Sequence, residues 1–221
     1  MLFDLFKCTD VVTAVITVFS YLVILLIAFP IHECSHGYAA KLLGDDTAEE
    51  QGRLTLNPIS HLDPMGTIGL LVFGIGWAKP VPVQPRRARK VSQKTAMALT
   101  AAAGPLSNVI VSLIFMIIMK LVIVFGETST TTLYLVLAFQ MVININLNLG
   151  VFNLLPIPPF DGSRIFFAFL PTKYYFAIMR YERFIMMAVL LLLYTGILSI
   201  PFSIVSNLIY TGLDFITSFI C

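Results

Sequence analysis

Val11 to Phe29 is a run of 19 residues without a charge. A spanning helix needs about 20 consecutive apolar residues to cross the hydrocarbon layer of a bilayer. Further largely apolar runs lie at about Thr95–Phe125, Leu133–Phe152, Arg183–Leu198 and Phe202–Phe219. Only 12% of the 221 residues are charged, about half the share in ordinary soluble domains, and the mean hydropathy is +0.90. The expected fold class is an all-α polytopic membrane protein with about five spanning helices, an integral multi-pass protein whose solvent is largely lipid. The net charge of +2 gives no reason to expect a nucleic-acid partner.

One segment does not fit a regular span. The apolar part of Met65–Val83 is Met65–Ala78, 14 residues that include Gly66, Gly69, Gly74 and Gly76. It is short for a crossing, and glycine weakens helix while permitting tight turns. A re-entrant, glycine-rich, β-hairpin-like segment is expected here, covered by protein or lining a wet cavity. No repeat or separate soluble domain is evident. Residues 1–221 read as one membrane domain, with a core at about 11–170 and a C-terminal helical pair at about 183–220. The first 30 residues are leader-like, but no small-x-small site precedes Pro30, and a retained helix is expected. Cysteine is limited to Cys8, Cys34 and Cys221 without a CxxC pair, so no disulfide framework is expected.

Orientation follows from the Lys/Arg bias of short loops. Lys79, Arg86, Arg87, Arg89, Lys90 and Lys94 cluster in one stretch, and Arg164, Lys173, Arg180 and Arg183 in another. The loop from Gly126 to Thr131 carries none. Both basic stretches are expected on the cytoplasmic side, with the short loop outside.

Chemistry is concentrated at the end of the first run, in His32-Glu33-Cys34-Ser35-His36. Ionisable groups at membrane depth are costly and by default mark function. In an HExxH sequence on a helix, both imidazoles share one face and can hold one zinc ion, and the glutamate lies within reach of a water at the open position. Catalytic zinc usually has three protein ligands, so a third is required. The candidates are His61, in a polar loop, and Asp161, in "NLLPIPPFDG". The prolines before Asp161 block regular helix, and Gly162 permits close backbone approach. The topology favours Asp161, which is expected at the same cytoplasmic depth as His32 and His36.

The segments "HECSH", "AAAGPLSN" and "NLLPIPPFDG", with "GRLTLNPISHLDPMGT" and "WAKPVPVQP" between them, resemble the site-2 protease family of intramembrane zinc metalloproteases. The likeness is to compact members without PDZ or CBS domains and covers roughly Phe29 to Arg164. It implies one zinc per chain on His32, His36 and Asp161, with Glu33 as catalytic base. It also implies that Asn153 lies beside the substrate; from the residue alone, Asn153 reads equally as a helix C-cap. Asn108 is expected to hydrogen-bond between helices. The partners implied are transmembrane segments of membrane-protein substrates, with the active site toward the cytoplasm. The alternative is a non-proteolytic zinc-binding scaffold or a metal transporter. A transporter would carry ionisable residues along a path, whereas this chain has scattered ones such as Lys120 and Asp214. A scaffold would tend to lose the base, and Glu33 is present.

Overall fold

The computed structural model describes residues 11–73, 76–171, 178, 180–197 and 199–220. The leader-like residues 1–10, Gly74, Lys173, Leu198 and the two cysteines Cys8 and Cys221 lie outside the described residues. Within them the regular structure is helical, and the only extended pairing is an isolated antiparallel bridge between Leu62 and Ala78.

Helix α1 (Val11–Val23) passes through a π-helical turn (Ile24–Ala28) into α2 (Phe29–Leu42). Pro30 explains the turn. Proline has no N–H and its ring crowds the carbonyl four residues back, so the chain widens just before it, and the Phe29 N–H reaches back five residues to the Ile24 carbonyl. The distortion that Pro30 imposes is thus absorbed as a π-bulge. Gly44, at φ +97°, ends the rod, and the Gly44 N–H closes onto the Lys41 carbonyl.

A loop region follows, with the short α3 (Thr47–Glu50) and a 3-10 turn at Pro58–His61. The glycine-rich segment is helical where it was expected to be hairpin-like: α4 covers Pro64–Phe73. Capping outweighs the glycines. The Asp63 side chain accepts from the Gly66 N–H at 2.8 Å, its carbonyl accepts from Thr67, and Pro64 occupies the first helical position. The chain then returns to its point of departure, where Leu62 bridges Ala78 and the Lys79 N–H donates to the His61 carbonyl at 2.7 Å.

An extended strap, Ala78 to Gln84, leads to α5 (Gln93–Phe125), which is joined by a short loop to α6 (Thr130–Asn153). Both helices start on serine caps: Ser92 accepts from the Thr95 N–H and Ser129 from the Thr132 N–H. They pack as a hairpin around Met116, Met119, Ile143 and Leu147, with Leu213 closing the cluster. Leu106, Ile110 and Ile114 form an exposed stripe on α5, the face a lipid solvent would cover. Helix α7 (Asp161–Phe167) follows the proline-rich loop, and α8 (Glu182–Tyr194) and α9 (Ser199–Ile216) close the chain.

Among the described residues, three helices are long and apolar enough to cross a membrane: Val18–Leu42, Gln93–Phe125 and Thr130–Asn153. About five were expected. The difference lies in the C-terminal pair: α8 has 13 residues, about 20 Å at 1.5 Å per residue, and the apolar part of α9 is the shorter Ile200–Ile216. Helix α9 is tied to the bundle through polar residues one turn apart. Ser206 donates to Asn148 Oδ1 at 2.8 Å and Tyr210 to Gln140 Oε1 at 3.0 Å, while Asp214 Oδ1 pairs with Lys120 Nζ at 2.9 Å. Lys120 and Asp214 therefore neutralise each other.

Candidate metal centre

His32 and His36 occupy successive turns of α2, both buried, with Nε2 atoms 3.1 Å apart. Asp161 begins α7, immediately after Phe160 in extended conformation. The proline-rich loop turns tightly enough that a Cβ on Gly162 would collide with the Leu154 carbonyl, so the residue after Asp161 has to be glycine. This turn aims the buried Asp161 carboxylate at the histidines, with Oδ2 3.1 Å from His32 Nε2 and 3.2 Å from His36 Nε2. Burial raises the Asp161 carboxyl pKa, but hydrogen bonds to His32 and His36 and their charge more than offset this and hold it below the usual carboxylate range.

Three residues of α5 fix the rings. His36 Nδ1 donates to the Thr100 carbonyl on α5 at 2.7 Å, which in a neutral ring leaves Nε2 bare to ligate a metal ion. His32 Nδ1 faces the Asn108 amide, also on α5, at 3.1 Å. Gly104 lies between them; a Cβ there would sit 2.5 Å from His36 Nε2 and 2.6 Å from His32 Cε1. The three ligand atoms and their neighbours fit a metal ion. Two imidazole nitrogens and a carboxylate oxygen are a donor set typical of catalytic zinc, and tetrahedral bonds of about 2.0–2.1 Å place ligand atoms about 3.3 Å apart. These are the residues whose ligand atoms all lie within 4.8 Å of one another, and among the described residues no other such group of three occurs.

The other expected residues fall as follows. Glu33 is half-buried, and its Oε2 accepts from the Val81 N–H in the strap at 2.9 Å. Asn153 is the last residue of α6 and its amide donates to the Leu149 carbonyl at 3.0 Å. His61 is fully buried but outside the cluster, with Nε2 donating to the Thr55 carbonyl at 2.6 Å. Sequence reasoning missed Val81, Thr100 and Gly104. The first two act through backbone atoms, which no side-chain pattern reveals. Asn108 does hydrogen-bond between helices, and its partner is His32 itself.

Comparison with known proteins decides the family. A model of peptidase family M50 matches residues 120–195. The chain is 48% identical over 148 residues to the Bacillus subtilis protein named "Putative zinc metalloprotease YwhC", a match covering 66% of this chain and 67% of the relative. The chain belongs to peptidase family M50. Two further relatives carry the same kind of name. One, Rip2 of Mycolicibacterium smegmatis, is 30% identical over 142 residues, 62% of this chain and 52% of the relative. The other, from Methanocaldococcus jannaschii, is 37% identical over 101 residues, 46% of this chain and 48% of the relative. The chain thus spans about two thirds of the first M50 relative and about half of the other two. No solved structure matches it. The family-model match contains Asn153 and Asp161 but not the HExxH arm, so the convergence of the two arms of this M50 chain is seen in the fold alone.

Proposed function

We propose that this M50 protein is an intramembrane zinc metalloendopeptidase that hydrolyses peptide bonds within or near transmembrane segments of membrane-protein substrates. The observation that carries this reading is the triangle of His32 Nε2, His36 Nε2 and Asp161 Oδ2, with sides of 3.1–3.2 Å, beside a glutamate in HExxH register. His32, His36 and Asp161 would hold one zinc ion per chain, which when bound lowers the pKa of a water to about 7 and polarises the scissile carbonyl. Glu33 takes the proton of the attacking water on its carboxylate and delivers it to the leaving amine. The Val81 N–H holds Oε2 of Glu33, so the proton is carried on Oε1. Asn153, on the loop side of α6, holds extended substrate backbone. A substrate helix hides its carbonyls in its own hydrogen bonds, so it unwinds locally before it reacts.

The proposed setting is a multi-pass membrane protein with the site toward the cytoplasm and lipid around the bundle. Support comes from the basic stretch, which packs against the end of α2 that follows the HExxH: the Arg89 N–H donates to the Leu43 carbonyl at 3.0 Å and Lys90 Nζ to the Leu42 carbonyl at 2.8 Å. Lys94 Nζ reaches the Leu170 carbonyl, just beyond α7, at 2.7 Å. The closed loop at Leu62 and Ala78 supports a re-entrant path for α4. The mutual pairing of Lys120 and Asp214 argues against a transport path along the helices. The test is co-expression of single-span membrane proteins with the wild type and with Glu33→Gln. The variant is expected to retain zinc and lose cleavage; cleavage at near the wild-type rate would reject Glu33 as the base.

A further inference from the structure

We propose that Asn108 is a positioning residue for the metal centre, its side-chain amide setting the tautomer and ring orientation of His32. The inference rests on the metal reading above and goes beyond it by adding a residue that touches neither metal nor substrate. Asn108 is fully buried on α5, and its amide lies 3.1 Å from His32 Nδ1. Gly150 lets α6 approach it closely: a Cβ there would sit 3.3 Å from the Asn108 Cβ. The Ser112 hydroxyl donates to the Asn108 backbone carbonyl at 2.9 Å. Asn108 Oδ1 has no hydrogen-bond partner, a cost that buried polar atoms rarely bear.

The chemistry of an amide accounts for this arrangement. With Nδ2 toward His32, as here, Asn108 donates to a bare Nδ1, and His32 carries its proton on Nε2, toward Asp161. A metal on Nε2 requires the opposite tautomer, with the proton on Nδ1 and an acceptor facing it. Turning the amide by half a rotation exchanges Nδ2 for Oδ1 without moving another heavy atom, and amide oxygen and nitrogen are nearly isosteric. Asn108 thus serves both states, and the acceptor it supplies orients the ring and raises its basicity toward the ion, where loss of such a partner costs about 10–100-fold in metal affinity.

Zinc affinity, measured by chelator competition on the purified full-length chain, tests this without reference to cleavage. Asn108→Leu, nearly isosteric but without an acceptor, is expected to bind zinc about 10–100-fold more weakly. Asn108→Asp, which restores an acceptor, is expected within about threefold of wild type or tighter. A packing role predicts the reverse order, since the buried charge is the more disruptive change. Thermal melts and Ser112→Ala, one turn away, control for packing; if Asn108→Leu does not fold, Asn108→Ala takes its place. Wild-type zinc affinity in the apolar variant, or an aspartate variant as weak as the apolar one, overturns the proposal. Absence of zinc binding in the wild type would instead overturn the metal reading on which it rests.

Discussion

The Glu33 carboxylate accepts a hydrogen bond from the Val81 backbone N–H at 2.9 Å, across 48 positions of sequence. The strap that carries Val81 is held in turn by Arg53, which donates to the Lys79 and Pro80 carbonyls, and by Asp45, which accepts from the Gln84 N–H. The Val81 side chain packs over the same helix face, where a Cβ on Gly37 would sit 3.0 Å from it. The glutamate is therefore oriented by a segment far from it in sequence.

Replacing Val81 with proline removes that N–H. A hydrogen bond to a charged group contributes about 1.5–3 kcal/mol, and about 1.4 kcal/mol is tenfold in rate. Val81→Pro is expected to lower kcat about tenfold or more with zinc content unchanged, and Val81→Ala, which keeps the N–H, to remain within a few-fold of wild type. Single-turnover cleavage with parallel metal analysis checks both.

Gly104→Ala would ordinarily favour a helix by about 1 kcal/mol. Here the new methyl group meets both imidazoles and pushes them off the ligand triangle. Zinc affinity is expected to fall at least about tenfold while α5 remains helical. Chelator competition and circular dichroism separate the two effects.

The site was legible in the sequence to the extent that its chemistry is written in side chains. His32 and His36 follow from helical spacing, and Asp161 from a proline-rich break with a glycine behind it, and the three come together in space. The helical bundle was legible for the same reason, since long uncharged runs leave few other structures. Backbone contributions were not legible: the Val81 N–H and the Thr100 carbonyl carry no residue signature. The four glycines of Met65–Ala78 argue against helix, but Asp63 and Pro64, a cap and a first-turn proline, argue for it, and Pro64–Phe73 is helical. The C-terminal pair is expected to span on hydropathy, which says nothing about where a helix stops, and α8 stops after 13 residues.

The Lys120–Asp214 pair is asymmetric, and so are its variants. The Lys120 side chain is 7% exposed and the Asp214 side chain 54%. Asp214→Ala leaves an ammonium buried in an apolar bundle and is expected to lower stability by about 2–4 kcal/mol. Lys120→Met leaves an exposed carboxylate and is expected to cost about 1 kcal/mol or less. Thermal melts in detergent compare the two, and the opposite order would mean that the pair does not anchor α9.

Zinc content per chain in the purified protein and its ligand variants tests the metal centre most directly. The wild type and His61→Ala are expected to carry one zinc, because the His61 imidazole is committed to the Thr55 carbonyl. His32→Ala, His36→Ala and Asp161→Ala are each expected to fall well below one, with their fold retained. Full occupancy in Asp161→Ala, or loss of zinc in His61→Ala alone, would contradict the assignment of His32, His36 and Asp161 as the site that holds the ion.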